Sequence, residues 1–183
     1  MSRNQYTVAR KSVWYVLRTL LAIVVIIVLA FIVFVEAMYI SNIYILVTEG
    51  MEARAECILQ NGSTAGLTEY FTQDFVALDH ALYDGAYSEY TISNFLYKLQ
   101  VQSIVALPWD NTASVRVTER MLALSGKANE GAPSEKLPAW VDVRYRVKLS
   151  RMQGRWYISD IILLEENPVD PPKPTPNLAL IPQ

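Results

Sequence analysis

The sequence predicts an α+β fold behind a membrane-spanning helix, and three observations carry that prediction. Residues 19–35, TLLAIVVIIVLAFIVFV, form an uncharged run that is polar only at Thr19. Residues 37–83 keep apolar side chains largely at three- and four-residue steps, the period of helices with one buried face. Beyond residue 91 the period drops to two, the spacing of strands with one buried face. Helices followed by strands, rather than interleaved with them, imply two or three helices packed on a curved antiparallel sheet of about four strands.

Residues 1–12 are polar and basic, without periodicity, and are expected to be disordered or to lie on lipid headgroups. No lipidation motif is present, since Ser2 and not Gly follows Met1. The 19–35 run is about 26 Å long as a helix, and residues 13–17, with Arg18 snorkelling, carry it past the ~30 Å of bilayer hydrocarbon. Residues 13–36 are therefore read as a span. A buried core helix is the first rival, but such helices usually hold only about 10–14 apolar residues. A cleaved signal peptide is the stronger rival. Its apolar region is usually only about 7–15 residues and closes on a small-x-small site, whereas this run exits through Phe34-Val35-Glu36-Ala37-Met38-Tyr39.

Flanking charge sets the expected orientation. Arg3, Arg10, Lys11 and Arg18 precede the run without an acid, whereas Glu36, Glu49, Glu52 and Glu56 follow it. Basic flanks stay cytoplasmic, so residues 1–12 are expected to be a cytoplasmic tail and residues 37–166 a domain outside the cytoplasm, anchored in the plasma membrane by a single pass. Trp14 and Tyr15 on one side, and Tyr39 and Tyr44 on the other, suit the headgroup region.

The net charge is −2, and the first 18 residues carry +4, which leaves −6 on the rest. An acidic domain has no basic face for nucleic acid. The single cysteine, Cys57, excludes an intrachain disulfide and reads as a small buried apolar residue. The domain must therefore be held by its own core, for which about 130 residues suffice.

The elements follow in order. Ile40, Ile43, Tyr44, Val47, Met51, Ala55, Ile58 and Leu59 predict that the span continues as a helix to Gln60, where Asn61-Gly62 stops it. Asn61-Gly62-Ser63 fits a glycosylation acceptor and is read as incidental. Ser63 or Thr64 caps a short helix bearing Leu67, Tyr70 and Phe71. Residues 73–85 read as mostly helical, ending at Gly85. A strand follows in which Phe95, Tyr97, Leu99, Val101, Val105 and Leu107 share the buried face. Pro108-Trp109-Asp110-Asn111 is a turn, and residues 113–124 form a second strand. Residues 125–138 are a polar loop. Alternation over 140–150 predicts a third strand, turned at Met152-Gln153-Gly154 into a fourth over 155–165. Residues 167–183 hold six of the nine prolines and read as a disordered or polyproline-like extension.

The hairpin VDVRYRVKLSRMQGRWYISDIIL resembles the last two strands of nuclear-transport-factor-2-like (cystatin-like) domains, and LTEYFTQDFVAL resembles the short helix that follows their long first helix. The resemblance covers about residues 45–166 in the order of elements. It implies a cone-shaped space between sheet and helices, which ketosteroid isomerase and scytalone dehydratase line with Asp, His or Tyr. The residues of this chain that would answer are Asp79, His80, Tyr83 and Asp84. On one helix, His80 and Asp84 share a face at i, i+4, and so do Asp79 and Tyr83. Adjacency is the only support for a site there, and the favoured reading is a solvated helix face rather than catalysis.

A lone His and a lone Cys cannot furnish a transition-metal site without several carboxylates, and no phosphate loop or nucleophile elbow occurs, so no cofactor is expected. The sharpest charged feature is the basic row Arg144, Arg146, Lys148 and Arg151. It is a candidate interaction surface for an anionic polymer or lipid headgroups, against the ordinary reading of a solvated hairpin face. A basic tail, one span and such a domain resemble the scaffolding subunits of conjugation and type IV secretion machines and the membrane ring components of sporulation. The expected partners are the bilayer and other envelope proteins or further copies of the chain. A non-enzymatic scaffold in a bacterial envelope leads, a domain binding a small ligand in its cavity comes second, and an enzyme third.

Overall fold

The computed structural model describes residues 3–107 and 109–169, with side chains from residue 13 onward except Glu36. Met1, Ser2 and the expected extension from residue 170 lie outside them. The fold is α+β: one long N-terminal helix, short helices, and a four-stranded antiparallel sheet that does not close into a barrel.

Helix α1 runs unbroken from Arg3 to Gln60. The expectation of an irregular segment over 1–12 thus gives way to helical backbone from Arg3 onward. Two environments are written along this one helix. From Val13 to Phe34 every side chain is exposed, and this part of the helix is long and apolar enough to cross a membrane. About two and a half turns beyond Phe34 the buried stretch begins, and Ile43, Val47, Met51, Ala55 and Leu59 are 1% exposed or less. Asn61 ends the helix in the left-handed region, at φ 49°, and the Gly62 N–H returns to the Cys57 carbonyl at 3.1 Å. Cys57 is buried, and its Sγ lies 3.3 Å from the Gly62 carbonyl.

A 3-10 helix follows over Thr64–Glu69, capped by the Ser63 hydroxyl, and then α2 over Gln73–Leu78, capped by Thr72. The helix expected to reach Gly85 stops at Leu78. Asp79 turns extended (φ −74°, ψ 95°), and a separate 3-10 turn, His80–Leu82, starts on its side chain.

The strands are β1 (Tyr90–Ala106), β2 (Thr112–Ala128), β3 (Val143–Met152) and β4 (Arg155–Glu166), in spatial order of sequence. β1 and β2 outrun the prediction at the end far from their turn, so the connection to β3 begins at residue 129, and Trp140 belongs to it rather than to a strand. The register of β1 slips between Val101 and Ser103. This bulge inverts the alternation, so Ile104 and Ala106 pack on the core while Val105 and Leu107 face outward, contrary to expectation. The β3–β4 hairpin closes as predicted, through Gln153 and Gly154, both at positive φ (52° and 83°). The core joins Ile43, Val47 and Met51 of α1 to Val115, Val117, Val147, Leu149 and Ile158 of the sheet, with Leu67 and Phe71 closing one side. Phe71 also bridges to Ile158, covering part of the β4 edge.

Candidate functional site

Two charged residues sit where the sequence period demands apolar ones. Arg54 falls on the α1 stripe that carries Val47 and Met51, and Glu119 occupies the inward register of β2 after Val115 and Val117. They are 8% and 1% exposed. A charge buried this far must be paired and hydrogen-bonded. Arg54 donates from Nε (2.6 Å) and a terminal nitrogen (3.1 Å) to the two oxygens of Asp79, and the Asp79 carboxylate also accepts from the Ala81 N–H at 3.3 Å. At the point where α2 ends, Asp79 thus both caps the following 3-10 turn and pairs with Arg54.

Glu119 accepts from the Tyr97 hydroxyl at 3.2 Å and from the Trp140 indole N–H at 3.0 Å. Burial raises its pKa above the ordinary value, against the opposing pull of the Arg54 charge and the two hydrogen bonds. The Tyr97 hydroxyl is pushed up as well, by burial and then by the adjacent Glu119 charge. Trp140 stacks at a tilt on Tyr87, centroids 6.2 Å apart, so the cluster also seats the 129–142 loop. The carboxylates of Asp79 and Glu119 are thus occupied by protein donors, and the arrangement ties α1, the short helices, β1, β2 and the loop together.

The four residues that the resemblance singles out are not gathered in one cavity. Asp79 points inward to Arg54. His80, Tyr83 and Asp84 are exposed, and the Tyr83 hydroxyl donates to the Val76 carbonyl. Their i, i+4 relation disappears with the helix that was to carry it. Asp79 and His80 do help line an open groove of about 390 Å³ with Asp74, Phe75, Leu78 and Asp160, on the outside of α2.

The basic row divides between the faces of the sheet. Arg144 is paired with Glu165, and Lys148 with Asp160 at 3.1 Å. Arg146 lies between them, opposite Arg116 in the β2–β3 register, and both are exposed. Arg151 belongs to the other face, in register with Val147 and Leu149, where its guanidinium stacks 5.1 Å from the ring of Tyr39 and 6.0 Å from that of Trp156. Of the residues singled out from the sequence, Asp79 alone belongs to the Arg54–Glu119 cluster, and Arg54 and Glu119 themselves were not singled out. The sequence clue was a charge interrupting each buried stripe. No family model, curated protein or solved structure matches this chain.

Proposed function

We propose that this chain is a single-pass membrane protein that holds a non-enzymatic interaction domain, similar to nuclear-transport-factor-2-like domains, outside the cytoplasm as part of a bacterial envelope assembly. The observation that carries the reading is the unbroken α1: its exposed apolar half suits lipid, and its far half is core of the domain, so the domain would be fixed rigidly to its anchor. The occupied carboxylates of the interior favour a structural role over chemistry. The sheet supplies surfaces for partners, since among the described residues β1 is hydrogen-bonded along one side only and the outer face carries the Arg116–Arg146 pair. The basic flank of the span supports a cytoplasmic N-terminus.

The alternative is a small-ligand domain, for which the groove beside Asp79 and His80 speaks. Protease added to intact spheroplasts should degrade the domain, and photocrosslinkers at Gln100 or Arg146 of the full-length protein in its own membrane should give discrete higher-mass products. Complete protection would overturn the orientation. Absence of products from both positions would remove the scaffold reading and leave the groove as the next target.

A further inference from the structure

The end of the domain nearest the exposed half of α1 has a chemistry of its own. Tyr39 stands four residues beyond Val35, about 6 Å further along the helix axis, which is the depth of a headgroup layer. Arg151 stacks on Tyr39 and so lies at that level. β4 climbs away from it, because Ile158 reaches Gly50, more than two helical turns higher. The Gln153–Gly154 turn is therefore the lowest point of the hairpin, and Met152 beside it is 44% exposed. The Arg151 N–H donates to the Asn111 carbonyl at 2.8 Å, which brings the β1–β2 connection to the same end. That connection carries Trp109, 80% exposed, next to the outward Leu107 and Val105.

We propose that this end, formed by residues 107 and 109–111 and the 153–154 turn, rests on the surface of the bilayer that α1 enters, with Trp109 inserted at the headgroup level and Arg151 facing lipid phosphate and ester oxygens. Trp is the residue that such an interface favours, since its ring is apolar and its N–H needs a polar partner. The contact holds the domain at a set height and tilt above the membrane, which orients the outer sheet face toward partners. The inference rests on the anchor reading above.

The test uses the full-length protein in vesicles of phosphatidylcholine and phosphatidylglycerol at three to one. Spin labels are placed at Asp110→Cys and Gln153→Cys in a Cys57→Ala background, with Ile26→Cys and Leu122→Cys as references, and depth is read from oxygen and nickel-chelate accessibility. The oxygen-to-nickel ratio at 110 and 153 should exceed that at 122 several-fold, and Trp109→Ala should reduce it at 110. Ratios at 110 and 153 equal to that at 122, with 26 buried in lipid, would overturn the inference and spare the anchor. A water-exposed label at 26 would overturn both. Independently of cysteine substitution, brominated phosphatidylcholine should quench the native protein more than its Trp109→Phe variant, and equal quenching would also refute the contact.

Discussion

Removing Arg54 should cost the domain more than removing Asp79, although the two form one ion pair. Both side chains are 9% exposed, and their 2.6 Å contact is doubled by a second hydrogen bond. Breaking a buried pair by deleting one partner costs about 3–5 kcal/mol, because the survivor is left uncompensated. The survivors differ here. Arg54→Ala leaves two buried acids, Asp79 and Glu119, without their cation, and should fall near the upper end, at about 5 kcal/mol. Asp79→Ala leaves Arg54 still attracted by Glu119, whose charge acts on it as well, and should fall near the lower end, at about 3 kcal/mol, even with the cap on Ala81 lost. Both losses are large against a total of about 5–15 kcal/mol for an ordinary domain. The assay is urea unfolding of the full-length protein in detergent, followed by the fluorescence of Trp140 and Trp156. The double variant should be less destabilised than the sum of the single ones by at least about 1 kcal/mol. Asp79→Ala costing as much as Arg54→Ala, or additive losses, would refute this account of the cluster.

Three further predictions concern the same framework. Glu119 has a raised pKa in the fold, so its contribution to stability is fully present below the ordinary value of 4.5 and is lost as pH rises through the raised one; the stability of the wild type relative to Glu119→Gln should fall from pH 4.5 toward neutrality, and parallel curves would contradict it. Gly50→Ala should destabilise despite a helix-propensity gain of about 1 kcal/mol, because the new Cβ would sit 2.9 Å from the Tyr70 Cβ and 3.1 Å from the Ile158 Cδ1, and overpacking costs about 1–3 kcal/mol; a higher midpoint in the same unfolding assay would show that Tyr70 yields. Gly154→Ala, at φ 83° in open space, should lose about 1–2 kcal/mol through backbone strain alone, and an unchanged midpoint would mean that the turn can relax.

The sequence alone determined what depends on near neighbours. An uncharged apolar run of seventeen residues makes a helix long and apolar enough to cross a membrane. Alternation over Val143, Tyr145, Val147 and Leu149 selects the strand and its buried face. Gln153-Gly154 set the hairpin because Gly accepts the positive φ that a two-residue turn needs. Asn61 stopped the long helix for a similar reason. Tertiary structure decided what depends on residues far apart in the chain. Helix α2 looked continuous through Tyr83, and it breaks at Asp79, whose carboxylate is shared between the Ala81 N–H and Arg54, twenty-five positions earlier. The buried face of β1 was read through Val105 and Leu107, and one bulge against β2 turned both outward. Arg151 looked like part of a row with Arg144, Arg146 and Lys148, but its register places it on the other face, over a tyrosine of α1. Glu119 found its donors at Tyr97 and Trp140, on a neighbouring strand and a loop, and no local period records that pairing. Period and turn chemistry are properties of a few consecutive residues, whereas the pairing of a buried charge is settled only when distant segments exclude water together.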